Sequence, residues 1–302
     1  MEVQVVHGKL RGIVVALATP LNPDGTVDTE GLRALIDYVA EGGVRGVFVL
    51  SSTGEGPLLV DEERQRVIDA AMEAAGGRLA VLVNVSETST ARALRWVQRA
   101  AEAGADYVVA TLPYYMQHTG PQIEKFYLTL AEASPVPVVV YNVPAYTKVH
   151  VDAPTMEHLA AHPNIAGVKD SSLDWRHFQA LIRLKTHRPD FAVLNGDEQA
   201  LASSVLMGAD GGVLGLANLA PRLCVDCYEA AARGDLPEAR RLQAELTDLH
   251  RVMTIADTGQ AGLKLALRLV GIGQEWVTSP LRPAGEKEAS QLRELLRRHG
   301  LL

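Results

Sequence analysis

Residues 165–172 read Ile165-Ala166-Gly167-Val168-Lys169-Asp170-Ser171-Ser172, a short apolar run that passes directly into a lysine, an aspartate and two serines. A continuous apolar run of this length with polar residues at one end is how a strand buried on both faces reads where it surfaces at the rim of a parallel sheet. The same pattern recurs at 13–18, 46–50, 79–83, 107–110, 136–141, 191–194 and 212–214. With 165–168 that gives eight predicted strands. Between them the apolar period changes to that of a helix over 29–40, 62–75, 90–103, 122–132 and 198–207, and several of these segments open on a capping residue or a proline. Strand and helix alternating eight times predict an α/β protein of the (β/α)8 TIM-barrel type. An open doubly wound sheet would gather its ligand loop at one switch point, whereas here polar and glycine-rich ends follow many strands. From Pro221 onward the strand signal stops, and 223–231, 237–255, 262–270 and 286–298 all read as helices. The first of these closes the barrel. The predicted organisation is therefore a (β/α)8 barrel domain over 1–232 and a C-terminal helical extension over 233–302, with no low-complexity linker between them.

With 302 residues and 47% hydrophobic content, the chain can bury a large core, which excludes a disordered reading. The formal net charge is -7, and Lys and Arg are spread along the chain. Such a surface offers no electrostatic footprint for nucleic acid or an anionic membrane, so an anionic substrate has to be held by a local site. Residues 1–10 lack a basic start followed by an apolar run, and no apolar segment is long enough to span a bilayer; a cytoplasmic protein is expected. Cys224 and Cys227 form one CxxC in a helical stretch. A zinc site would need a second pair and a redox site a thioredoxin-like context, so two buried or half-buried thiols are expected, and no metal.

In a barrel of this type the reacting groups sit at the C-terminal strand ends. The second run ends in Ser51-Ser52-Thr53-Gly54-Glu55-Gly56, whose hydroxyls and backbone N–H groups suit a carboxylate or phosphate, with the dipole of the following helix behind them. The same residue types also build any tight strand-to-helix turn. The fifth run ends in Tyr141-Asn142-Val143-Pro144, where Tyr141 reads either as a packing residue or as a proton relay. Lys169 either snorkels to water at the rim or has its amine desolvated in the barrel mouth, where burial favours the neutral, nucleophilic form of an amine. A 2-keto acid needs an amine for its carbonyl, donors for its carboxylate and an acid/base group for proton traffic. Lys169, the Ser52-Thr53 turn and Tyr141 supply one of each. A phosphosugar isomerase using the Gly208–Gly212 loop and a non-catalytic keto-acid-binding barrel are the competing readings.

Taken together, these motifs resemble the dihydrodipicolinate synthase and N-acetylneuraminate lyase family of class I aldolases, over nearly the whole chain. Residues 51–55 resemble the family's carboxylate loop, 141–144 its Tyr-Asn-x-Pro segment and 168–170 its Schiff-base lysine segment. The resemblance implies Lys169 as the Schiff-base lysine, Tyr141 as the relay phenol, and Ser52 with Thr53 as carboxylate binders. It further implies Tyr115, of Pro113-Tyr114-Tyr115, as a helper across a subunit contact in a homotetramer built as a dimer of dimers, and no cofactor. Gly196, Asp197 and Glu198 after the seventh strand and Leu214 at the eighth match loops that contact substrate hydroxyls in sugar-acid relatives. Three positions depart from the pattern. Ser51 replaces a usual glycine, Gly215 stands where sialic-acid lyases tend to have serine, and Pro144-Ala145-Tyr146-Thr147 lacks the arginine with which the synthases hold their aldehyde's carboxylate. Lys148 is near in sequence but lacks the planar fork. The expected function is interconversion of pyruvate plus an aldehyde with a 2-keto-4-hydroxy acid, of the 2-keto-3-deoxy sugar-acid or 4-hydroxy-2-oxoglutarate type. The rival is dihydrodipicolinate synthase, condensing pyruvate with aspartate semialdehyde.

Overall fold

A computed structural model describes residues 9–302. Eight parallel strands close into a barrel: β1 (Gly12–Ala16), β2 (Gly46–Val49), β3 (Ala80–Asn84), β4 (Tyr107–Ala110), β5 (Val138–Asn142), β6 (Ile165–Asp170), β7 (Ala192–Asn195) and β8 (Gly211–Leu214). Each pairs with its sequence neighbours, and β1 pairs with β8. The continuous apolar runs are explained by two cores. Val14, Phe48, Leu82, Val109, Val139 and Leu194 point inward and fill the barrel. Alternate residues such as Val15, Val47, Val83 and Val140 point outward and pack against the helices. Both faces of every strand are thus dry, which removes the polar alternation of a half-exposed sheet.

The helices follow their apolar stripes. Thr29–Glu41 buries Leu32, Leu35, Ile36 and Val39, spaced as one helical face, and its first turn is closed by Asp28, whose side chain accepts from the Gly31 N–H. Asp28→Ala would cost about 1 kcal/mol of stability. Helices Ala153–Ala160 and Trp175–Leu184 complete the alternation on either side of β6. Two predicted helices are interrupted. The segment 237–255 is a helix only over Leu236–Leu249 and then tightens into a 3-10 turn, His250–Met253, against which the helix Gly259–Leu269 packs so closely that a Cβ on Gly262 would lie 2.2 Å from the Val252 carbonyl. The segment 198–207 opens as a 3-10 turn, because Asp197 caps the Gln199 N–H and Glu198 is drawn toward β8.

Beyond β8 the chain forms Pro221–Ala232, then Leu236–Leu249, Gly259–Leu269 and Glu286–Arg298. The last of these buries Ala289, Leu292, Leu295 and Leu296, and each fully buried leucine contributes about 1.5–3 kcal/mol. Cys224 and Cys227 are free and buried, and burial pushes the Cys227 thiol up to about 12. No helix among the described residues is long and apolar enough to cross a membrane.

Candidate active site

Lys169 lies inside β6 rather than beyond its end, because the ladder continues on both sides: Lys169 is the register partner of Tyr141 on β5 and of Leu194 on β7. A β-bulge decides which way it points. Val138 pairs with Ile165 but Val139 pairs with Gly167, so Ala166 is an extra residue on β6. Ala166 packs with the inner core and Val168 with the outer one. Counted straight through from Ala166, period-2 alternation would turn Lys169 outward; because the bulge takes Ala166 out of the count, Lys169 faces inward together with its partner Tyr141. Gly167 permits this, since a Cβ there would lie 2.4 Å from the Ala192 carbonyl. The Lys169 side chain is only 4% exposed, with Nζ 4.2 Å from the Tyr141 ring centroid and 5.1 Å from that of Phe48. Among the described residues, no carboxylate pairs with this amine.

Behind the pair, on the outward side, Asn142 and Asp170 are likewise register partners. The Asn142 amide donates to Asp170 Oδ1 at 2.6 Å, Ser172 donates to Oδ2 at 2.8 Å, and Asn142 Oδ1 accepts from the Val151 N–H at 3.1 Å. These bonds tie β5, β6 and the 143–151 loop together in a dry layer, where an unpaired polar group would be costly. The His177 imidazole sits 3.7 Å from Asp170 and 4.1 Å from the His150 ring, and burial pulls its pKa down.

After β2 the chain folds into a compact loop with Leu50 and Glu55 both in the left-handed region, at φ 58° and 57°. Thr19 donates to the Gly54 carbonyl at 2.7 Å, and the Asn84 amide donates to the Leu50 carbonyl at 2.8 Å. A Cβ on Gly56 would meet the Leu50 carbonyl at 2.0 Å, so only glycine closes this loop. The Ser51 hydroxyl accepts from the Gly54 N–H at 3.3 Å; the serine that departs from the family pattern braces the turn itself. One expectation fails here. The loop does not run straight into a helix: the 3-10 turn Gly56–Leu58 intervenes, and the next helix starts at Asp61 with three acidic residues in its first turn, which offset the positive end of its dipole.

A cavity of about 600 Å³ opens beside this loop. Ser52 and Tyr141 form part of its wall, with Tyr146 and Thr147 from the loop after β5 and Asp257 and Gln260 from beyond the barrel. Asn84, Ser86 and Thr111 complete a polar wall at the ends of β3 and β4; the Ser86 hydroxyl donates to Asn84 Oδ1 at 2.6 Å and accepts from the Thr111 N–H at 2.7 Å. Their position at strand ends was a usable signal in the sequence. Asp257 and Gln260 carried none, because they arrive from the helical extension. No lysine or arginine is among the described residues on the wall. Lys148 is exposed and donates to the Ala145 carbonyl at 2.7 Å. Tyr146 occupies the expected arginine position and lines the cavity while remaining 61% exposed.

The other expected residues lie elsewhere. Thr53 points toward the β8 end, where a Cβ on Gly215 would lie 3.4 Å from its hydroxyl. Both N–H groups of Gly215 and Leu216 donate to Glu198 Oε1, at 2.6 and 2.9 Å, so this buried carboxylate is engaged in holding backbone. Asp197 caps the turn that follows it, burial raising its carboxyl pKa, and Gly196 packs against Ser171. Leu214 belongs to the outer core, facing helices rather than the barrel axis. Tyr115 is 93% exposed at φ 84°, while its neighbour Tyr114 lines the cavity.

An inward lysine thus stands beside a phenol at the C-terminal mouth of a (β/α)8 barrel. The family model described as the dihydrodipicolinate synthetase family matches residues 9–299, and the chain belongs to that family. It is an enzyme of the family's pyruvate-dependent, class I aldolase type. A 4-hydroxy-tetrahydrodipicolinate synthase of Neisseria meningitidis serogroup B is 35% identical, over 97% of this chain and 100% of the relative. The structure of dihydrodipicolinate synthase from Bacteroides thetaiotaomicron superposes with a TM-score of 0.93 at 38% identity, covering 97% of this chain and 100% of that one. YagE, a prophage protein of the same family from E. coli K12 solved in complex with pyruvate, gives a TM-score of 0.93 at 30% identity, covering 97% and 99%.

Proposed function

We propose that Lys169 condenses with pyruvate and that the resulting enamine adds reversibly to an aldehyde, giving a 2-keto-4-hydroxy acid. The observation that carries this reading is the inward pair, with Lys169 Nζ 4.2 Å from the ring centroid of Tyr141, which lines the same cavity as Ser52. The amine attacks the keto carbon, and the carbinolamine loses water to leave an iminium ion. The iminium draws electrons from C3, which gives up a proton and attacks the aldehyde carbon; hydrolysis then returns the lysine. Tyr141 carries protons to and from the carbinolamine oxygen and the new hydroxyl. Ser52 on the cavity wall and Thr53, whose hydroxyl lies toward the β8 end, hold the carboxylate from two sides with the backbone N–H groups of their loop. The exposed Tyr115 reaches the relay of a neighbouring subunit in a homotetramer built as a dimer of dimers, and the site of action is the cytoplasm.

Two aldehyde partners compete. The names of the curated relatives favour aspartate semialdehyde, and they back that reading more strongly than any other. The cavity wall favours the reverse. Tyr146 stands where the synthases have a bidentate clamp for a partner carboxylate, and no lysine or arginine among the described residues lines the wall, whereas its hydroxyls and amides suit a hydroxylated aldehyde of the kind released from 2-keto-3-deoxy sugar acids. Steady-state kcat/KM for pyruvate with aspartate semialdehyde, set against cleavage of 2-keto-3-deoxygluconate, separates them. The second reaction should dominate, and Tyr146→Arg should raise the first about tenfold. A parent enzyme that turns over only aspartate semialdehyde would give the assignment to the synthase reading.

A further inference from the structure

The helix Gly259–Leu269 lies outside the barrel, yet one of its faces holds both ends of the carboxylate loop. Gln260 Nε2 donates to the Ser52 carbonyl at 2.9 Å. One turn later on the same face, Lys264 Nζ lies 2.5 Å from Glu55 Oε1 and donates to the Trp276 carbonyl at 2.7 Å. Glu55 Oε2 in turn accepts from the Thr278 N–H at 2.5 Å. The loop so held contains two non-glycine residues in left-handed geometry, Leu50 and Glu55, a strained conformation that persists only where the surroundings over-determine it.

The two contacts differ in kind. Lys264 and Glu55 are a fully buried ion pair, and burial pulls the Lys264 pKa down against the pull of Glu55. Removing either partner would strand a buried charge and damage the fold as a whole. Gln260 is neutral, half-buried and part of the cavity wall, so its contact is separable from folding.

We infer that Gln260 is a positioning residue for keto-acid binding: its bond to the Ser52 carbonyl sets the loop that receives the substrate carboxylate, so the C-terminal extension determines pyruvate affinity without touching pyruvate. This rests on the pyruvate reading above. Gln260 acts on pyruvate binding and not on the amine, so its loss shifts half-saturation by pyruvate and leaves the adduct yield at saturating pyruvate alone.

The test is a pyruvate titration of borohydride trapping, read as adduct fraction by intact mass, on the full chain. In Gln260→Met, which keeps size and loses the donor, half-saturation should rise by about tenfold or less but several-fold, the worth of one hydrogen bond, with an unchanged adduct yield at saturation and an unchanged melting temperature. Gln260→Glu, which keeps length and shape and places a carboxylate favourably in the first turn of its helix, should show a rise as well. Parent-like half-saturation in both variants overturns the inference, as does a loss of saturated yield with half-saturation unmoved. Trapping of the parent protein at Lys169 alongside parent-like variants would leave the Schiff-base reading standing and remove only the role of Gln260. Absence of an adduct in the parent removes both.

Discussion

The β5–β6 edge and the loop after β4 each present a tyrosine that the family pattern assigns to a proton relay, and they do so in opposite ways. At the edge, Tyr141 and Lys169 are fixed by ladder pairing, by the bulge at Ala166 and by the Asn142–Asp170 bond beneath them. In the loop, Tyr115 stands 93% exposed in a left-handed conformation, and Tyr114 lines the cavity instead. The first arrangement is complete within one chain. The second becomes useful only if another surface covers it, since a non-glycine residue at φ 84° spends energy that solvent exposure does not return. Where the barrel alone positions a group, the chain holds it by itself; where an exposed loop does, as at Tyr115, a subunit contact is what we propose completes it.

Breaking the self-sufficient edge should have the largest effects. Lys169→Ala should lower kcat by on the order of 10³-fold or more while the melting temperature stays close to that of the parent, since it removes the nucleophile and leaves the ladder intact. Tyr141→Phe should cost about 10²–10³-fold in kcat with the borohydride adduct still forming slowly, the loss of a proton relay and not of the amine. Gly167→Ala forces a Cβ toward the Ala192 carbonyl and should lower stability by about 1–3 kcal/mol, read by denaturant unfolding, with kcat reduced as β6 shifts away from β7. The smallest effect belongs to the loop. Tyr115→Phe should reduce kcat about tenfold, and mixing Tyr115→Phe with Lys169→Ala subunits should recover activity that neither has alone, because a hybrid contact then pairs an intact lysine with an intact tyrosine. No recovery on mixing would confine Tyr115 to its own chain.

The same contrast explains what the sequence made legible. Strands buried on both faces gave continuous apolar runs, and all eight lie within one or two residues of where those runs predict them. Lys169 was readable because it ends such a run. Its direction was not, because an inserted residue at Ala166 reverses the period-2 rule and leaves no trace beyond Ala166-Gly167 itself. Leu214 shows the converse: alternation along β8 turns it into the outer core, a fact that position in a motif conceals. Glu198 has the chemistry of a hydroxyl acceptor, but two backbone N–H groups occupy it. Gln260 and Lys264 lie 208 and 209 residues from the loop positions they hold, 52 and 55, and no local pattern announces a contact over that distance.

The central claim is that one buried lysine, and not another, forms the covalent intermediate. The chain contains a built-in control, since Lys264 is also buried but ion-paired to Glu55. Pyruvate and sodium borohydride added to the parent protein, followed by digestion and peptide mapping, should place a single reduced pyruvyl adduct on the peptide containing Lys169 and none on that containing Lys264. No adduct, or an adduct on Lys264 or any surface lysine with Lys169 unmodified, would contradict the account.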